Sequence, residues 1–257
     1  MRFGEAELRR ALDNEELLLL YQAQVDMRTG AFAGIECAIR WEHPQRGRLH
    51  AVPFVDDVVP AGLVPNFMRF VVRTATRQVA RWNASGLRVP RYSINAWPEA
   101  IGDELIRDML AACDEYGVDP STFEVETQPQ ATYDQAMCER LQRFRDAGLR
   151  VALDDFGEGA VRFGWLRDAP FDIVKVPVMF GKNAGQRYDD AVIIAAVAFA
   201  KAIGAPTVVE GVETLRVRDR LLELGCDIGQ GYLWSQQVEA PAFPALVSAI
   251  GIDGARP

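Results

Sequence analysis

The strongest constraint on this chain is the way short apolar strands and amphipathic helices take turns along it. An opening helix covers Glu5–Asp13. Two strands follow, Leu17–Val25 and Phe32–Trp41, joined by Met27-Arg28-Thr29-Gly30. A link that short makes the pair antiparallel. Alternation then takes over. A helix at about Asn66–Asn83 carries the stripe Phe67, Phe70, Val71, Ala75 and Val79, and the strand Tyr92–Asn95 follows it. Next come a helix from about Pro98 to Tyr116, the strand Thr122–Thr127, a helix over Tyr133–Ala147 and the strand Arg150–Asp154. The strand Asp172–Val176, a helix at Asp189–Ile203, the strand Thr207–Glu210, a helix at Thr214–Leu224, the strand Asp227–Gly229 and a last helix at Ala242–Ile250 complete the series. Strands separated by helical crossovers must lie parallel. About eight of them predict an α/β fold, a (β/α)8 TIM-like barrel modified by an antiparallel first strand. The pattern alone also allows an open doubly wound sheet.

Composition narrows the chemistry. The 36 acidic residues outnumber 28 basic ones, for a net charge of -8. That balance argues against a nucleic acid polymer or a membrane surface as partner, since both reward a basic face. Only two histidines are present, His43 and His50, which speaks against a His-rich zinc site or a Ser-His-Asp triad. The four cysteines show no CxxC spacing and sit in apolar segments, as reduced thiols in a cytoplasmic protein do. The start of the chain is charged and helical rather than a signal peptide. The longest apolar run, Ala191–Ala200, is about half a membrane span.

Polar residues collect at the strand ends. In the second strand Glu36, Ala38 and Arg40 share one face by period-two alternation, and Cys37 faces the other way. Asn95, Glu124, Asp154 with Asp155, Lys175, Glu210 and Gln230 close or follow the next strands. A barrel brings all of these to its C-terminal mouth. So many carboxylates need compensating charge, and all-oxygen donors favour Mg2+ or Mn2+, as one ion or two.

These residues, with their neighbours, resemble the EAL domain family, which hydrolyses the bacterial second messenger cyclic di-GMP. The matching stretches are Tyr21-Gln22, Val25-Asp26 and Thr29-Gly30; Glu36 with Arg40-Trp41 and His43-Pro44; Asn95; and Phe123-Glu124-Val125. Asp154-Asp155-Phe156-Gly157, Lys175, Glu210-Gly211-Val212-Glu213-Thr214, Leu224-Gly225-Cys226-Asp227 and Gln230-Gly231-Tyr232 continue the match. The resemblance runs from about Leu17 to Phe243, the core of a single barrel domain over residues 1–257. It implies that Glu36, Asn95, Glu124 and Asp154 ligate a first metal, with Asp154 and Asp155 reaching a second. It implies that Lys175 and Glu210 orient or deprotonate the attacking water, that Gln230 holds that water or the second ion, and that Gln22, Arg40 and Asn95 lie against the substrate. The implied product is linear pGpG, and the implied assembly is a homodimer.

Four departures set this chain apart. The signature Glu-Ala-Leu is Glu36-Cys37-Ala38. The glutamate that holds the loop after the fifth strand is replaced by Thr127, and Glu126 is one residue out from it, on the opposite face. The loop itself reads Phe156-Gly157-Glu158-Gly159-Ala160-Val161-Arg162. Pro177 and the pair Gln236-Gln237 stand where the family usually has charged or Arg-Pro residues. Two functions therefore fit. One is a metal-dependent phosphodiesterase, favoured by the retained ligand set. The other is a catalytically inactive or very slow domain that binds cyclic di-GMP or a protein partner, favoured by the altered loop.

Overall fold

The computed structural model describes residues 2–128, 134–158 and 170–253. Strands β1 (Leu17–Asp26) and β2 (Phe32–His43) pair antiparallel, with Gln22 opposite Glu36 and Leu18 opposite Arg40. The link is closed by Asp26 Oδ1, which accepts from the backbone of Arg28 and Thr29 at 3.0 and 2.7 Å. β2 folds back into a short hairpin with β3 (Gly47–Leu49). It then runs parallel to β4 (Tyr92–Asn95). β5 (Phe123–Thr127), β6 (Arg150–Leu153), β7 (Ile173–Val176), β8 (Thr207–Glu210) and β9 (Ile228–Gln230) each pair parallel with the strand before. β9 meets β1 antiparallel, Gln230 opposite Gln24, and closes the ring. The expected barrel forms, with β1 as the reversed strand and β3 outside the ring.

Helices α1 (Glu5–Asp13), α2 (Val52–Val58), α3 (Val64–Ala84), α4 (Asp103–Tyr116), α5 (Gln135–Asp146), α6 (Val178–Gly181), α7 (Arg187–Ile203), α8 (Leu215–Leu224) and α9 (Phe243–Asp253) are the described helices. Local chemistry sets their ends. Asp134 and Thr214 cap α5 and α8 through their side chains, and Gly117, Gly204 and Gly225 end α4, α7 and α8 in the left-handed region. β3, α2 and α6 were not expected from the sequence. All three are short, and elements of that length are held by tertiary packing rather than by propensity. α4 begins at Asp103, later than the spacing predicts, because a 3-10 turn at Pro98–Ala100 and Gly102 precede it.

Alternation along the strands sorts the side chains into two layers. Ile35, Cys37, Tyr92, Ile94, Phe123, Val125, Val151, Leu153, Val174 and Val209 face outward into one apolar core beneath the helices. The other face points into the barrel, where Ala152, Ile173 and Val208, with Ile228, form a separate apolar plug. Polar residues on that inner face stack toward the C-terminal ends of the strands. The cysteines are free and buried, and no helix among the described residues is long and apolar enough to cross a membrane.

Candidate active site

Lys175 is the centre of the mouth. It is fully buried at the end of β7. Its Nζ lies 2.7 Å from Glu126 Oε2, 3.0 Å from Glu210 Oε1, 3.3 Å from Asp154 Oδ1 and 3.9 Å from Glu36 Oε1. Burial alone would lower the Lys175 pKa, but the attraction of Asp154, Glu126, Glu210 and Glu36 raises it well above the usual lysine value. The ammonium is therefore permanent.

One ammonium does not balance these four carboxylates. Two like charges about 4 Å apart repel by about 4 kcal/mol at an effective dielectric of about 20. Burial first, then the neighbouring acids, push Glu210 up to about 7 and Glu126 well above its usual value despite Lys175. Burial acts the same way on Glu36, but Lys175 and the amide donors of Gln230 and Asn95 outweigh it, and its pKa is lowered. Asn95 Nδ2 donates to Glu36 Oε1 at 3.1 Å, and Gln230 Nε2 donates to Glu36 Oε2.

β5 places the expected ligand Glu124 below the mouth. Glu124 and Glu126 lie on the same inward face, and strand pairing sets Ser93 beside Glu124 and Asn95 beside Glu126. Glu126 is thus level with the mouth, whereas Glu124 sits one pleat deeper and is held by Arg91 at 2.9 Å. The place expected for Glu124 among the carboxylates is taken by Glu126, which the sequence reading left without a role. Arg91 and Gln24 also went unremarked. The signal for them was available, since Arg91, Ser93 and Asn95 alternate onto one face.

Asp155 stands slightly apart. Its backbone is left-handed (φ 52°), and its carboxylate accepts from Gln128 Nε2 at 2.5 Å. A non-glycine residue held there stores strain of the kind functional loops carry. Burial, with Asp154 and Glu158 beside it, pushes Asp155 up to about 6. The altered loop continues into 159–162, which lie outside the described residues.

Close backbone packing fixes Glu210. A Cβ on Gly181 in α6 would lie 1.8 Å from the Glu210 carbonyl oxygen, so the one-turn helix rests directly on the end of β8. Beside this cluster opens a cavity of about 350 Å³ lined by Gln22, Glu36, Arg40, His50, Glu210, Glu213, Gln230, Tyr232 and Gln237 among others. Gln22 donates to the Ser235 carbonyl at 3.0 Å. Arg40 is buried without a carboxylate partner. Its guanidinium donates to the Ile39 carbonyl at 2.6 Å and to Gln237 Oε1, and its Nε has no partner.

The donor chemistry fits a hard divalent cation. Glu124 Oε1, Glu126 Oε1 and Asp154 Oδ1 are buried carboxylate oxygens without a hydrogen-bond partner; the last two lie in the group around Lys175, and leaving such atoms unsatisfied is costly. Among the described residues no three acidic, His or Cys side chains converge as a ready cage, because the carboxylates turn to Lys175.

Comparison with known proteins identifies the family. The EAL domain family model matches residues 5–237. A cyclic di-GMP phosphodiesterase of Pseudomonas aeruginosa is 33% identical over 234 residues, covering 89% of this chain and 40% of that protein. An uncharacterised protein of Mycobacterium tuberculosis is 30% identical over 253 residues, covering 95% of this chain and 40% of that protein. The solved structure of the phosphodiesterase PaMucR in complex with c-di-GMP matches with a TM-score of 0.86 at 28% identity, over 93% of this chain and 98% of that one. The chain thus spans about 40% of the length of these two curated relatives. With its barrel, its mouth and a family match over nearly its whole length, the chain belongs to the EAL domain family.

Proposed function

We propose that this domain is a divalent-cation-dependent phosphodiesterase that hydrolyses cyclic di-GMP to linear pGpG. The observation that carries the reading is the set of carboxylates around Lys175 that outnumber their counter-charge and keep two buried oxygens without a hydrogen bond. Glu36, Asn95, Glu126 and Asp154 would hold one Mg2+ or Mn2+, and Asp154 with Asp155 a second. A cation held there supplies Lewis-acid polarisation of the phosphoryl oxygens and acidifies the attacking water.

The chain's own residues do the rest. Glu210, held at the end of β8 with its carboxylate 3.0 Å from Lys175, accepts the proton of the water that attacks phosphorus. Lys175 keeps Glu210 and Asp154 in place through contacts of 3.0 and 3.3 Å. The phosphorus–oxygen bond to the 3′-carbon breaks, and the leaving oxygen takes up a proton to become the free hydroxyl of pGpG. Arg40, buried with a spare N–H beside the cavity, donates to the dinucleotide.

One observation favours the second reading, a cyclic di-GMP receptor without turnover. Thr127 and the loop that begins at Phe156-Gly157-Glu158 depart from the family pattern. Incubating the purified chain with cyclic di-GMP and Mn2+ or Mg2+ and following pGpG by chromatography separates the two. Product that disappears with EDTA supports the phosphodiesterase. Tight dinucleotide binding with no pGpG at high enzyme concentration establishes the receptor instead.

A further inference from the structure

Below the mouth lies a buried ion pair that the proposed chemistry does not use. Arg91 and Glu124 are almost wholly buried inside the barrel. Arg91 Nη1 donates to Glu124 Oε2 at 2.9 Å, and Nη2 donates to Gln24 Oε1. We propose that Arg91 and Gln24 are positioning residues that fix the polarity of the Gln230 amide, and through it the Glu36 carboxylate, for a divalent cation. The proposal rests on the reading of Glu36 as a cation ligand.

The argument follows from donors and acceptors. A guanidinium has donors only. Gln24 must therefore turn its amide oxygen toward Arg91 and its NH2 group the other way. That NH2 group donates to Gln230 Oε1 at 2.8 Å. Gln230 is then left with its NH2 group on the mouth side, where it donates to Glu36 Oε2 and to Gln22 Oε1 at 3.2 Å. Each amide inherits its orientation from the one below, and the cation at the bottom sets them all. A flipped Gln230 would press its carbonyl oxygen against the Glu36 carboxylate. With Oε2 held, Glu36 keeps Oε1 for the mouth, on the side of Asn95 and Lys175.

Glycine at position 34 makes room for this relay. Gly34 pairs with Gln24 across the β1–β2 ladder. A Cβ there would lie 3.2 Å from both Arg91 Nε and Gln24 Oε1, and 3.1 Å from the Arg91 carbonyl. Any side chain on that face would push the two groups apart.

The test uses Mn2+ alone, titrated into the purified chain and followed by the electron paramagnetic resonance of the free ion. In Gln24→Glu a carboxylate still accepts from Arg91 but cannot donate to Gln230, so Gln230 flips. The relay predicts Mn2+ binding weaker by about 10–100-fold, the range for outer-shell partners of metal ligands. Added negative charge acting alone predicts tighter binding, so the two accounts differ in sign. Arg91→Lys keeps a donor-only group and retains wild-type affinity. Gly34→Ala leaves every polar group intact, crowds Gln24 and weakens Mn2+ binding with little change in the unfolding midpoint. It stands in for Gln24→Glu should that variant not fold. Where turnover is measured, raised Mn2+ restores kcat in Gln24→Glu. Wild-type affinity in Gln24→Glu and Gly34→Ala overturns the relay and leaves the cation reading standing. A wild-type chain that takes up no Mn2+ overturns both.

Discussion

Glu124 and Glu126 are two residues apart on one face of one strand, both buried, and they keep opposite company. Glu124 meets Arg91, one charge against one charge. Glu126 shares a single ammonium with Glu36, Asp154 and Glu210. Burial is nearly the same at both levels, so burial does not distinguish structure from function here. Charge balance does. A buried pair whose charges cancel can remain as a fixed part of the barrel. A buried group of acids that exceeds its counter-charge is stable only with help, which under the proposed function a divalent cation would supply.

The comparison breaks most visibly in turnover. Glu126→Gln is expected to lower kcat for pGpG formation by more than about 100-fold, beyond the cost of losing an outer-shell partner. Glu124→Gln should keep kcat within about tenfold of wild type. Steady-state rates at saturating Mn2+ decide, and the reverse ranking would return Glu124 to the ligand set.

Stability should separate the two levels with opposite signs. Arg91→Met strands the buried Glu124 charge and costs about 3–5 kcal/mol. Glu126→Gln removes one acid from an overcrowded group, so the cation-free chain becomes more stable. Urea unfolding in EDTA measures both. A loss of stability in Glu126→Gln would mean that Lys175 already satisfies the cluster.

Acidity is a milder probe of the same imbalance. Glu210 (about 7) and Asp155 (about 6) have folded-state pKa values above their unfolded ones. Their protonated forms favour folding fully below the unfolded carboxylate pKa, near 4, and that contribution is lost as pH rises through 6 and 7. Lys175 is raised and Glu36 lowered, so they change outside this window. In EDTA the melting temperature should therefore fall between pH 5 and 8, through Glu210 and the likewise raised Glu126 more than through Asp155, which is partly exposed and screened. Saturating Mn2+ should flatten the slope because it favours the ionised acids. A melting temperature that rises over this window in EDTA would contradict the repulsion described for the mouth.

The barrel was legible in the sequence because alternation of period two and period 3.6 dictates parallel strands with crossovers, and the family motifs are short and local. Asp154, Lys175 and Glu210 meet at the mouth because they lie at or just past the ends of β6, β7 and β8, and Glu36 joins them by pointing inward from within β2. Glu124 and Glu126 were not separable in the same way. They share a face, they have the same chemistry, and only the pairing of Glu126 with Asn95 sets which reaches the mouth. The relay was hidden for a related reason. Gln24 in β1 and Arg91 just before β4 lie far from Gln230 in the chain, and each of the two alone reads as an ordinary polar residue. α6 was hidden because four residues carry too little pattern, although its Gly181 is what lets it sit on Glu210.

Arg40 extends the comparison to the other sign. It is a buried cation with no carboxylate partner, against Arg91, a buried cation with one. Burial lowers its pKa, while Glu36 is near enough to oppose that. By the same logic the unbalanced guanidinium suits an anion, which under the proposed function would be a phosphate of the dinucleotide. Gln237 is what aims it, by accepting from the terminal guanidinium nitrogen where the family usually has a proline. Gln237→Ala removes one hydrogen bond and leaves the carboxylates untouched. The expected effect is about 1 kcal/mol, or about fivefold in KM, with kcat unchanged. A change confined to kcat would place Gln237 with the reacting groups, and no change in either constant would leave Arg40 aimed by Ile39 alone.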